Sequence, residues 1–184
     1  FDEYDIEPTI AGMDLQEFNK ILQRSSEGDK LSIELNDAEA KIKLESDLKR
    51  SFRLPLIDIF QEEIKLPTID YESTISIDAA SLKEILKDAV LFGGSIMIKI
   101  QKGRLFFEAR GSQGSMDSEV PVKIASVVSK KDVSAKFSLG FFQNIVREAD
   151  AGKIQIFLKE DSPMKVSYSF GQSKISFYLA HMII

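Results

Sequence analysis

Cysteine and tryptophan are absent from the 184-residue chain, and histidine occurs once, as His181. Without cysteine there is no disulfide, no thiolate metal site and no Cys nucleophile, which fits a reducing compartment. A single histidine excludes multi-histidine metal sites and leaves His181 as the one candidate for a His-based dyad or triad. No apolar run approaches the roughly 20 residues that span a bilayer, and no stretch has the form of a signal peptide. There is no G-x-S-x-G elbow. Glycine-rich phosphate cradles are missing too: Gly93-Gly94 precedes a strand-like segment rather than a helix, so the pair is read as a turn. Asp37, Glu39, Glu62, Glu63, Asp117 and Glu119 fall in loops or alternate along strands, where a solvated face is expected rather than a two-metal centre. Neither a catalytic residue nor a cofactor or metal is expected.

Against these absences stand 43% hydrophobic residues, and 24 Lys+Arg against 29 Asp+Glu, a net charge of −5. That is enough chain to bury one compact domain or two small ones. Mild acidity argues against a protein that is basic all over, but leaves a local basic face open.

Periodicity then supplies the organisation. Leu15, Phe18, Ile21 and Leu22 share a helical face within 14–24, with Asp14 as N-cap and Glu17 completing a capping-box pattern. Residues 79–91 repeat the design with Leu82, Ile85, Leu86 and Ala89; residues 138–149 repeat it with Phe142, Ile145, Val146 and Ala149. Each helix is followed by a short turn and an alternating segment: Leu31–Leu35, Ile96–Ile100 and Ile154–Leu158. Further strands are predicted at 40–44, 51–57, 104–110, 115–123, 165–170 and 174–180, and ahead of the later helices at 73–77 and 134–137. The chain is therefore an α+β repeat of one helix plus several strands, with a period of about 60 residues.

Between the first and second units, Leu54–Pro67 carries Ile57, Ile59, Phe60, Ile64 and Leu66 beside the pair Glu62-Glu63. Such an acidic, apolar-studded segment is either a docking surface or the cover of a seam between two lobes. Lys20 and Arg24 are four apart, as are Lys83 and Lys87, and Arg147 shares the register of Lys87. Either these cations line a track for a polyanion, diluted by Glu17, Glu84, Asp88 and Glu148, or they are an ordinary solvated face.

Arg50-Ser-Phe-Arg-Leu-Pro-Leu-Ile-Asp-Ile59, the segment to Leu66-Pro67 and the ending Phe177-Tyr-Leu-Ala180 resemble a sliding clamp of the proliferating cell nuclear antigen (PCNA) family, its archaeal members above all. The similarity runs over the whole chain. It implies the DNA-clamp fold: repeated units of one helix plus antiparallel strands, with helices on one face of curved sheets. Family subunits have four units in two domains, and three subunits close around duplex DNA, so the first unit is expected to precede Phe1. Residues 1–57 would be the C-terminal half of the first clamp domain, 58–70 the interdomain connecting loop and 71–184 the second clamp domain.

The resemblance also implies sites. Lys20, Lys87 and Arg147 match basic positions of the helices that face DNA, with Arg24 and Lys83 beside them. Ile64, Leu66 and Pro67, with Pro163, Tyr178, Leu179 and Ala180, match a groove for PCNA-interacting peptides of DNA polymerase, clamp loader, flap nuclease and ligase. Subunit contacts would use strands at about 49–57 and 115–123. The implied setting is intracellular, in the cytoplasm or nucleoid of an archaeon or in a nucleus, serving replication and repair without a membrane partner. Two departures stand out. His181-Met182-Ile183-Ile184 replaces the family's proline and basic residue at the groove rim, and Glu84 and Gly140 stand where some relatives carry arginine. The competing expectation is a non-DNA α+β scaffold that binds peptides at its apolar loop.

Overall fold

The computed structural model describes residues 7, 9–59, 66, 68–149 and 152–183. They divide into two compact units, Phe1–Leu66 and Pro67–Ile184.

The first unit has one helix, α1 (Leu15–Leu22), and an antiparallel sheet in the order β1-β2-β3, formed by Lys30–Leu35, Glu39–Glu45 and Lys49–Pro55. Asp14 caps α1, its Oδ1 accepting from the N–H groups of Gln16 (2.8 Å) and Glu17 (3.2 Å). Only this half of the capping box is seen, because the Glu17 carboxylate instead accepts from Lys20 Nζ at 2.5 Å. Ile21, Ala40 and Ile42 are buried, with Phe18, Leu35, Phe52, Leu54 and Leu56 packed around them. Leu15, placed on the apolar stripe by its spacing, is 72% exposed. Behind α1 the Asp29 side chain is only 2% exposed and pairs with Arg50, which also donates to the Arg24 carbonyl at 2.7 Å. The turn that follows α1 is thereby tied to β3.

The second unit is built from two copies of a strand–helix–four-strand pattern. The first runs β4 (Ser73–Asp78), α2 (Ala79–Val90), β5 (Ser95–Gln101), β6 (Arg104–Gly111), β7 (Gly114–Val120) and β8 (Ala125–Ser129). The second runs β9 (Val133–Ser138), α3 (Leu139–Val146), β10 (Lys153–Leu158), β11 (Met164–Phe170), β12 (Ser173–Leu179) and β13 (His181–Met182). The copies exchange strands. β4 pairs with β10, while β9 pairs with β5, giving two five-stranded antiparallel sheets, β12-β11-β10-β4-β8 and β7-β6-β5-β9-β13, of matching order. The exchange extends to the helix ends. Ala79 N–H of α2 donates to the Gly152 carbonyl in the turn after α3, and Leu139 N–H of α3 donates to the Gly94 carbonyl in the turn after α2, each at 2.9 Å. These are otherwise orphaned first-turn donors. Gly152 sits at φ +133°, open to glycine and strained for other residues.

One core fills this unit. Leu82, Leu86 and Ala89 of α2, and Phe142 and Val146 of α3, are buried against Ile75, Ile77, Ile96, Ile98, Phe107 and Phe137. Tyr168 Oη donates to the Ile145 carbonyl at 2.8 Å and holds the end of α3 to β11. β8 has no counterpart in the sequence-based expectation, and β7 stops at Val120, short of the expected 123, because Pro121 cannot continue a ladder. The chain changes sheet at Ala180, between β12 and β13, and His181 pairs with Phe137.

Asp78 caps α2, its Oδ1 accepting from both N–H and Oγ of Ser81 at 2.8 Å. These bonds hold its carboxyl below the ordinary range. A depressed folded-state value means the contribution is whole above the usual carboxylate range and lost as pH falls through and beneath it. Thermal melting is expected to separate wild type from Asp78→Ala widely at about pH 7, with the gap closing by about pH 2.

Candidate functional site

The five cations singled out in the sequence all lie on or just beyond helices. Lys20 and Lys87 occupy the last turns of α1 and α2, where the helix dipole favours positive charge. Arg24 follows α1, Arg147 caps the C-terminus of α3, and Lys83 is half-buried on α2. Three of the five are already paired within their own helix region. Lys20 meets Glu17 at 2.5 Å, Lys87 meets Glu84 at 2.6 Å and Arg147 meets Glu148 at 2.6 Å. Hydrogen bonding to these carboxylates raises the Lys20 and Lys87 ammonium groups above their usual range, so both stay charged. α1 carries Glu17 and Lys20, α2 carries Lys83, Glu84, Lys87 and Asp88, and α3 carries no charge, so each helix proper is formally neutral.

A further cluster of cations lies on the sheet of the first unit. Lys41, Lys43, Lys49, Arg50 and Arg53, with Glu45 and Ser51, line an open cavity of about 320 Å³ on the β2–β3 sheet. Composition had hidden this, because Glu34 and Glu39 alternate with these cations and pair with Lys43, Lys41 and Arg53. β3 is an edge strand, and Lys49, Ser51, Arg53 and Pro55 are its exposed residues on that face. β7 is likewise an edge, and its exposed Asp117 and Glu119 pair with Arg110 at 2.5 Å and Arg104 at 3.2 Å on neighbouring β6.

A second surface lies on the outer face of the β12-β11-β10 sheet. Register sets Tyr178 beside Lys165 and Lys165 beside Phe157. Lys165 Nζ stands 5.6 Å from the Phe157 ring centroid and 5.7 Å from that of Tyr178. Tyr71 packs on Phe157 with centroids 5.9 Å apart and donates its hydroxyl to the Pro163 carbonyl at 3.1 Å. Burial, then neighbouring Tyr178, push the Tyr71 phenol above its ordinary value, so it remains a donor. Of the expected groove residues in this unit, Pro163 and Tyr178 are half-buried at this patch and Ala180 is exposed. Leu179 turns inward, buried opposite Met164 in the core. Leu66 belongs to the first unit and is exposed; Ile64 and Pro67 lie outside the described residues. Tyr71, Phe157 and Lys165 escaped the sequence reading. The outward place of Phe157 in Ile154-Gln-Ile-Phe-Leu158 was the available signal.

Among the described residues no group of three or more His, Asp or Glu side chains could hold a metal ion. None of their helices is long and apolar enough to cross a membrane.

Residues 65–183 match the family model of the proliferating cell nuclear antigen C-terminal domain. The "DNA polymerase sliding clamp" of Methanococcus vannielii is 27% identical over 100% of this chain and 77% of its own. The "proliferating cell nuclear antigen" of Chaetomium thermophilum is 28% identical with the same coverage. A crystal structure of PCNA from Thermococcus kodakaraensis superposes with a TM-score of 0.90 at 24% identity, covering 99% of this chain and 77% of that one. With a family match over most of its length and a duplicated, strand-exchanged α+β architecture shared with a solved relative, the chain has the DNA-clamp fold and belongs to the proliferating cell nuclear antigen family.

Proposed function

We propose that the chain is a subunit of a DNA sliding clamp, a non-catalytic ring that encircles duplex DNA and tethers partner enzymes. The observation that carries this reading is similarity across the whole chain to proteins named as DNA polymerase sliding clamps. Two open sheet edges support ring assembly. β3 presents Lys49 and Arg53 and β7 presents Asp117 and Glu119, so β3 of one copy would meet β7 of the next, head to tail. Three subunits, copies of this chain or this chain with other clamp subunits, would close the ring as a homo- or heterotrimer. Residues 1–57 and 71–184 would act as the two clamp domains, joined by 58–70.

DNA would be held through phosphates by Lys20, Arg24, Lys83, Lys87 and Arg147, without reading sequence. A closed ring needs no tight grip, since it cannot leave the duplex without opening. Polymerase, clamp loader, flap nuclease and ligase would dock through extended peptides whose apolar and aromatic anchors sit on Tyr71, Pro163 and Tyr178, with Ala180 at the rim. Ile64, Leu66 and Pro67 enter this groove through the family resemblance alone. Docked enzymes gain processivity through effective concentration on the ring. The implied setting is intracellular, wherever the DNA is.

Primer extension on a long circular template tests the reading. Product length per binding event is expected to rise severalfold with the chain and its polymerase. No lengthening at saturating protein would contradict it. The formal neutrality of the helices favours the rival, a scaffold with no DNA partner, so charge on those helices is where the two readings part.

A further inference from the structure

We infer that Glu17, Glu84 and Glu148 set how weakly the helices hold DNA. The inference rests on the DNA-tracking reading above and assigns those residues a role in it. The same arrangement occurs on three helices by different sequence routes: an i,i+3 pair on α1, an i,i+3 pair on α2, and adjacent residues at the end of α3. In each, the carboxylate takes a basic group in the last turn of the helix or at its C-cap. The paired side chains remain 51–71% exposed, so none of the pairs is buried scaffolding. Exposed pairs of this kind add little to stability. Their consequence is therefore for whatever approaches the helix. A phosphate must compete with a carboxylate already bonded to the ammonium or guanidinium, and a cation that changes partner leaves an anion facing the DNA backbone.

Counterion release makes this measurable. Five unencumbered cations would give a salt slope of about −4.5 per chain at about 0.9 per phosphate contact; with three neutralised, Lys83 and Arg24 leave about −1.8. A shallow slope lets a ring slide across phosphates without dwelling on any, and makes its hold insensitive to salt.

The experiment measures binding of a fluorescent linear duplex across a potassium chloride series. It compares wild type, the triple variant Glu17→Gln/Glu84→Gln/Glu148→Gln, and the reversal Lys83→Glu/Arg24→Glu. Gln keeps the size and helix preference of each exposed Glu, and unchanged thermal melting verifies the fold. The triple variant is expected to bind more tightly at low salt and to steepen the slope by about 2.7. If its slope equals wild type while the reversal weakens binding, the inference is wrong and the DNA reading stands. If neither variant alters binding, the DNA reading itself fails and the inference falls with it.

Discussion

Lys49→Glu/Arg53→Glu is expected to leave the protein a 20.7 kDa monomer at concentrations where wild type self-associates. Both side chains stand on the exposed face of edge strand β3, so the reversal barely touches the core of the first unit. Wild-type β3 offers a partner strand two cations and an open ladder; the variant would face Asp117 and Glu119 of β7 with like charge. Juxtaposed like charges cost several kcal/mol at an interface, so each head-to-tail contact weakens on the order of 100-fold or more. In a closed ring made of copies of this chain every contact would be the same contact, and the loss would be felt at each of them. Sedimentation velocity with a thermal melt as control checks this. An unchanged mass in the folded variant would show that β3 takes no part in assembly.

Tyr178→Ala is the second large effect, on partner docking. Its ring closes one side of a patch that also contains Phe157, Tyr71 and the stem of Lys165. Amphipathic aromatic platforms of this kind dominate small interfaces, and truncating one costs about 2 kcal/mol or more. Titration of a labelled peptide bearing one aliphatic and two aromatic anchors is expected to show affinity reduced about 30-fold. Tyr71→Phe keeps the ring and removes the hydroxyl that reaches the Pro163 carbonyl, so a smaller loss of a few fold is expected. Equal affinity of Tyr178→Ala and wild type would place peptide docking elsewhere.

What could be read in the sequence followed from local periodicity. Leu82, Leu86 and Ala89 lie on one helical face in any fold, and Ile96, Ile98 and Ile100 on one face of a strand, so both sets are buried as their spacing requires. Alternation names the face of a strand and not its neighbour. The exchange that sets β4 beside β10, some 80 residues on, was thus invisible. β8 was missed because Val128 is 75% exposed and its five residues follow a proline turn, leaving little alternation to detect. The cations were found, but their neutralisation was not. Sequence put Glu17 and Glu84 near Lys20 and Lys87, whereas only side-chain geometry shows the ammonium–carboxylate contacts of 2.5 and 2.6 Å between them. The aromatic patch assembles from residues 71, 157, 165 and 178, which meet only once the β10–β11–β12 register is known. Leu179 shows the same lesson in reverse: adjacent to Tyr178 in a strand, it must point the other way, into the core.

Encirclement separates a clamp from any other protein that touches DNA, and retention on circular against linear duplex measures it most directly. Protein loaded on a nicked plasmid is washed at a salt concentration that strips phosphate-bound proteins, and the plasmid is then cut once. Encirclement predicts that the chain stays on the circle and runs off within the dead time after linearisation. Equal loss from circle and line, or retention on both, would contradict it.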